Sequence, residues 1–358
     1  MKILYIGGFQ LPDKNAAAQR VINIAKALRD LNNEVYFLNA VKEKISSGWT
    51  DYFNFKCYEY SKASQFRYLT NIKTIKKIID EKYIDAVIAY NYPAIALNRL
   101  VKYCKKHGIK IFGDVTEWYV PQGNFIYRII KSFDSNFRMK KIHLKMDGII
   151  AISEYLYQYY KSKINNTIKI PPLVDIRDEK WQGEKMKNKI CTFVYAGNPD
   201  SQKERLDLIV KAVDSANGNT PFRLNVIGVT KEQYEHIYKI KYCGTSACFY
   251  GRMSHLDVIR QVKNADWSII IREDNLVTRA GFPTKVVESI SCGTPIISNV
   301  FSNITDYLKD CNSLIVYDIS QLESMIEYSI NKKFINVDRS MFDYHKYLID
   351  IGLLFNGS

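Results

Sequence analysis

Twice along its 358 residues this chain repeats one rhythm, an apolar segment of strand length followed by a stretch with helical spacing. That alternation constrains the fold more than any single motif. Parallel strands need a crossover between them and bury both faces, so the pattern predicts βαβ units and a parallel sheet. The first series has strands at 2–6, 34–38, 86–89, 110–112 and 148–152. Asn15 is the expected N-cap of its first helix, whose apolar positions are Val21, Ile24, Ala25, Leu28 and Leu31. Further helices are expected at 70–80 and 94–106. The second series starts at Cys191 with strands at 191–197, 222–227, 247–250, 268–271 and 295–298. Between the two lie Pro171, Pro172 and a charged stretch to Lys189, the composition of a linker. The chain is also too long for one core. The expected architecture is α/β, two Rossmann-like domains facing each other across a cleft. Their bounds are 1–170 and 171–335, and a C-terminal helix within 336–358 returns to the first domain.

In doubly wound sheets ligands bind beyond the carboxyl ends of the strands. This directs attention to the loops at 7–15, 90–93, 113–119, 197–203 and 272–282. Gly7-Gly8 does not continue into a dinucleotide fingerprint, and no Walker-type phosphate loop occurs. The richest segment runs from Gly281 to Pro295. Pro283 suits the first position of a helix, and Gly281 leaves room for a ligand to reach the backbone. The unpaired amides of a first helical turn favour an anionic guest such as phosphate. Thr284 and Glu288 share a face about 6 Å apart, placed to hold a diphosphate and then a ribose. Val286, Val287 and Ile290 belong to the core side. The plain alternative is a solvated glutamate on an ordinary helix.

With that layout the chain resembles the retaining glycosyltransferases of family four, which have the GT-B fold. The resemblance covers the Gly7-Gly8 loop, the strand ending Ala151-Ile152-Ser153-Glu154-Tyr155, the linker to Asp175 and the motifs of the second half. Phe282-Pro283-Thr284-Lys285 before Glu288, then Cys292-Gly293-Thr294-Pro295, is similar to the subgroup that builds capsular, exo- and lipopolysaccharides. It implies a nucleotide-sugar donor, UDP- or GDP-linked, bound by the C-terminal domain, and a glycan acceptor bound by the N-terminal one. Glu288 matches the second glutamate of the family's E-x7-E motif, which holds the ribose. The first would stand at 280, where this chain has Ala280. Glu273, Asp274 and Arg279 are its possible replacements.

Lys203 sits at the spacing of the family's diphosphate lysine, and Asn198, after Gly197, replaces its arginine. A departing nucleoside diphosphate gains negative charge and needs a second cation. Arg272 is the first choice for it and Arg279 the second. The expected donor residues are thus Gly8, Gly197, Asn198, Lys203, Arg272, Arg279, Gly281, Phe282, Pro283, Thr284, Lys285 and Glu288. Asp114, Glu117, Trp118 and Tyr119 form the expected acceptor loop, mixing carboxylates and aromatics as a sugar requires; a helix-capping loop is the alternative. Glu117, Lys203 and Arg272 are the catalytic candidates. The resemblance calls for no cofactor and no metal, and no Asp-x-Asp motif occurs.

A formal net charge of +14 admits nucleic acid, an anionic membrane or a phosphorylated substrate as partner. Between Asn124 and Lys163 basic residues alternate with aromatics, which suits an anionic membrane surface and a polyprenyl-diphosphate-linked acceptor. A solvated basic helix is the other reading. Nucleic acid is set aside, because the charge is dispersed and no nucleic-acid-binding motif occurs. No apolar run spans a bilayer. The N-terminus reads as a buried strand rather than a signal peptide, so the expected location is cytoplasmic, peripheral to the inner face of the membrane. Seven scattered cysteines read as reduced core thiols. The alternatives to transfer are a sugar-nucleotide-binding scaffold without catalysis and a basic nucleic-acid-binding protein.

Overall fold

The structure is a computed structural model that describes residues 1–12, 15–41, 43, 45–61, 65–118, 124–186, 188–199, 203–218, 220–332 and 337–356. It divides into two compact units. One comprises Met1–Val174, Ala280–Phe282 and Tyr344–Ser358, and the other Asp175–Arg279 and Pro283–Asp343.

The first unit is built on eight strands: β1 (Lys2–Gly7), β2 (Glu34–Val41), β3 (Gly48–Tyr52), β4 (Phe55–Ser61), β5 (Ala86–Tyr90), β6 (Lys110–Val115), β7 (Gly148–Ala151) and β8 (Thr167–Lys169). Their order is β3-β4-β2-β1-β5-β6-β7-β8, parallel except for the β3–β4 pair. The helices are α1 (Ala16–Asp30), α2 (Gln65–Thr70), α3 (Lys73–Lys82), α4 (Ala94–Lys106), α5 (Phe125–Phe137) and α6 (Glu154–Lys161). Asn15 does cap α1, its side chain accepting from the Ala18 amide at 2.9 Å. The helix expected at 70–80 is α3, which begins at Lys73 and runs to Lys82, after a short α2 that ends at Thr70. The Asn71 side chain takes the Lys73 amide at 2.8 Å and restarts the chain there as α3. Strands β3, β4 and β8 have no counterpart in the sequence reading.

The second unit has a six-stranded parallel sheet of β9 (Cys191–Ala196), β10 (Phe222–Ile227), β11 (Ala247–Phe249), β12 (Trp267–Ile270), β13 (Ile296–Asn299) and β14 (Leu314–Val316). Its order is β11-β10-β9-β12-β13-β14. Around it lie α7 (Leu206–Ser215), α8 (Lys231–Tyr238), α9 (His255–Asn264), α10 (Leu276–Ala280), α11 (Thr284–Ser291), α12 (Ile304–Leu308) and α13 (Leu322–Ile330). The last helix, α14 (Leu348–Asn356), packs with α1 and β8 of the first unit. Each unit keeps its own apolar core, around Tyr5, Val21, Phe37 and Ile88 in one and Phe193, Val226, Trp267 and Ile326 in the other. Cys57, Cys104, Cys292 and Cys311 are core thiols, whereas Cys243 and Cys248 are exposed, contrary to the core reading. No helix among the described residues is long and apolar enough to cross a membrane.

Candidate functional site

The strand order of the second unit reverses between β9 and β12, and the crevice beyond their carboxyl ends is where such a sheet receives a ligand. β9 runs out into Gly197 and β12 leads through Ile271 to Arg272. Gly197 has φ +150°, and any Cβ on it would overlap Cε and Nζ of Lys285. The backbone there favours glycine, and the end of the Lys285 side chain crosses the space a Cβ would take. Gly228, at the end of β10 with φ +111°, is pressed as closely against the Gly197 carbonyl.

Lys285 comes from the first turn of α11 and converges with Arg272, Glu204 and Tyr195. Its ammonium pairs with Glu204 and lies 3.0 Å from the Tyr195 hydroxyl, 4.2 Å from that ring's centre. Arg272 Nη2 reaches the other Glu204 oxygen at 2.6 Å. The Tyr195 hydroxyl donates to Glu204, and the Tyr238 hydroxyl donates to the Glu204 carbonyl at 2.8 Å. A backbone bridge between Glu204 and Arg272 fixes the alignment. The Nε of Arg272 is buried with no hydrogen-bond partner among the described residues, a donor still available.

Burial opposes the ionisation of Glu204, but Lys285 and Arg272 overcome it and hold the carboxyl at about 2. Burial brings Lys285 down to about 8, with Arg272 assisting and Glu204 resisting. Burial and Glu204 keep the Tyr195 phenol neutral. The two shifts act on stability in opposite directions. Glu204 contributes about 3 kcal/mol that is present above its unfolded pKa and lost as pH falls through 2. Lys285 costs about 3 kcal/mol below pH 8, relieved as pH rises past its unfolded value. The cluster gathers two cations around one carboxylate at the switch point.

Glu288, on α11, accepts from His255 Nε2 at 3.1 Å; His255 opens α9. No sequence motif singles out His255. Pro283 is not the first helical residue. With ψ 115° it is the cap, and Thr284 begins the helix. Arg279 lies exposed and bound to Asp274 at 2.6 Å, outside the cluster. Lys203 contributes its carbonyl, which accepts from the Glu273 amide at 3.1 Å, and is half-buried. Asn198 is exposed. Ala280, Gly281 and Phe282 group with the first unit, where the Ser153 hydroxyl donates to the Ala280 carbonyl at 2.8 Å and Ala280 is fully buried.

In the first unit Asp114 does not face a ligand. It is fully buried and bound by Arg20 Nε and Nη2 at 2.9 and 2.7 Å and by the Tyr5 hydroxyl. Trp118 is also buried, edge-on to Tyr159 with ring centres 4.9 Å apart. A buried ion pair and a packed indole leave half-buried Glu117 as the accessible carboxylate of that loop. Tyr119 lies outside the described residues. Gly8 lines a cavity of about 330 Å³ with Asn39, Tyr52 and Glu59.

Residues 175–332 match the family described as Glycosyl transferases group 1. None of the curated proteins matches the chain by sequence. Among solved structures it is similar to sucrose-phosphate synthase from Thermosynechococcus elongatus, at 13% identity and TM-score 0.73 over 99% of this chain and 98% of that one. It is similar to the apo form of WaaB, a lipopolysaccharide outer core galactosyltransferase (16%, 0.66, 100% and 99%). Anabaena Alr3699/HepE, solved in complex with UDP and glucose, is a third (13%, 0.66, 100% of both). Residues 175–332 thus match the group 1 glycosyl transferases, in a chain whose two α/β units have the GT-B fold.

Proposed function

We propose that this chain is a retaining glycosyltransferase that moves a sugar from a UDP- or GDP-linked donor in the second unit to a glycan acceptor bound by the first. The observation that carries the reading is the convergence of Lys285 and Arg272 on Glu204 beside a bare Gly197. The Glu204 carboxylate occupies the electrostatic position that a diphosphate takes. On binding, the two cations exchange Glu204 for phosphate oxygens and then stabilise the charge that grows on the leaving diphosphate. Lys203 supplies a further cation, and no metal is called for. Glu288 holds the ribose hydroxyls, with His255 orienting it, and Glu117 serves the acceptor. A polyprenyl-diphosphate-linked acceptor, bacterial surface polysaccharide as product and a cytoplasmic location at the membrane's inner face complete the proposal. The likeness to a lipopolysaccharide galactosyltransferase supports that choice.

Thermal shift with UDP, GDP and CMP tests the donor site. A ligand at a hundred times its Kd adds about 2.7 kcal/mol, a rise of several degrees in Tm. One of the three is expected to produce it, and Glu288→Gln is expected to remove most of it. A full shift retained in that variant would take the ribose away from Glu288. Because Ala280 offers no carboxylate, a product assay with the matching sugar nucleotide separates transfer from binding alone.

The pH dependence has a definite sign. Phosphate oxygens raise the Lys285 pKa, so above pH 8 binding must take up a proton that the free protein has lost. UDP affinity measured by calorimetry should fall with rising pH above 8, by up to about tenfold per unit. Lys285→Arg should flatten the profile. Equal affinities at neutral and strongly alkaline pH in the native protein would exclude Lys285 as a ligand.

A further inference from the structure

Helix α5 is mounted with its polar side inward. Asp134 accepts from the Ala94 amide at 2.9 Å and so caps α4, whose own N-cap residue, Pro93, supplies no side-chain cap. One turn on, Arg138 donates to the Asn91 carbonyl at 3.0 Å and lies 3.8 Å from Asp134. Ser135 and Met139 are buried on the same side. The opposite side carries Phe125, Ile129, Ile130 and Phe133, exposed to 75%, 53%, 58% and 63%. Phe125, Ile129 and Phe133 stand four residues apart and form one row. Phe133 stacks on Phe137 with ring centres 5.5 Å apart, which extends the row to the end of the helix. A soluble helix normally turns this stripe to the core. Here polar contacts hold the opposite orientation.

The charges around the stripe identify its occupant. From Asn124 to Met146 the chain has six cationic residues (Arg128, Lys131, Arg138, Lys140, Lys141, Lys145) and one carboxylate, Asp134, which is engaged at α4. Arg128, Lys140, Lys141 and Lys145 are exposed. A second copy packed on this stripe would bring like charges together and be opposed by them. An anionic lipid surface meets both demands, receiving the apolar row at the headgroup–acyl boundary and the cations at the headgroups.

We propose that α5 is a membrane-docking helix that lies in the plane of an anionic bilayer with Phe125, Ile129, Ile130 and Phe133 inserted. The proposal stands on the helix and its flanking charges, so the donor site can fail without it and the reverse.

Flotation of the full chain with vesicles of equal parts phosphatidylcholine and phosphatidylglycerol tests it. The native protein should float with them, and the bound fraction should fall about tenfold with phosphatidylcholine alone. Ile129→Ser with Phe133→Ser changes only exposed side chains. It should abolish flotation while leaving Tm and the nucleotide-induced shift unchanged. Lys140→Gln with Lys141→Gln should weaken binding and reduce its salt sensitivity. Undiminished flotation of the serine variant overturns the proposal, as does equal binding to neutral vesicles. Failure of the native protein to float, with concentration-dependent self-association instead, assigns the stripe to a second copy and overturns it as well.

Discussion

Lys285→Ala is expected to weaken UDP binding by about 100-fold, while Glu204→Gln strengthens it and destabilises the second unit. The loss in the first variant is that of a charge-assisted contact at a nearly buried site, about 3 kcal/mol. Its folding should change little. The alanine removes a lysine that burial penalises, and Glu204 keeps Arg272 at 2.6 Å. The second variant acts in both directions at once. Without the carboxylate that sustains its charge, Lys285 falls further below about 8 beside Arg272, and the broken buried pair costs about 3–5 kcal/mol. The same absence means that a diphosphate no longer has to displace a resident anion, so its affinity should rise by about tenfold or more. Chemical denaturation and calorimetry on one protein read both signs. Tighter binding in a less stable protein is the signature; weaker UDP binding by Glu204→Gln would mean that Glu204 positions the lysine and does not compete for it.

Arg20→Met should be the most damaging single change in the first unit. The guanidinium holds Asp114 and also donates to the Ile170 and Pro171 carbonyls at 3.0 and 3.2 Å. It therefore ties α1 to β6 and to the chain leaving β8. Both partners are almost completely buried, at 2% and 0% exposure. Removing the cation leaves an ionised or proton-scavenging carboxyl with only the Tyr5 hydroxyl, a loss of about 3–5 kcal/mol. Hydrogen exchange should report earlier opening of α1 and β6, with the second unit's sheet unaffected. Arg20→Met combined with Asp114→Leu should recover part of the loss, since no charge is then stranded. A single variant as stable as the native protein would show that water reaches Asp114.

The alternation of strands and helices was enough to locate β9, β10 and α4 almost to the residue, because long periodic segments flanked by turns leave few alternatives. Strands β3 and β4 escaped notice because Asp51, Lys56 and Glu59 interrupt their apolar residues; β4 is held by parallel pairing to β2 and antiparallel pairing to β3. The cluster was half legible. Arg272 and Lys285 could be named from their places after a strand and at a helix start. Glu204 could not, since Lys203-Glu204-Arg205 reads as an ordinary solvated charge run. Asp114 misled for the opposite reason. A carboxylate at the end of a strand looks available until a distant arginine, Arg20, is found beneath it. For α5 the sequence displays an amphipathic stripe but cannot say which side the protein claims; that depends on Asp134 meeting the start of α4.

Gly228, Gly197 and Lys285 form a queue in which each glycine's side-chain room is taken by the member after it. Substitutions at the three positions are therefore not independent. A side chain at 228 is blocked by the backbone at 197, and one at 197 is blocked by the lysine. Shortening Lys285 opens only the second of those spaces, and the +150° φ of residue 197 still resists filling it. A side chain at 197 therefore demands that the end of Lys285 swing aside, whereas one at 228 demands that backbone move, the larger of the two demands.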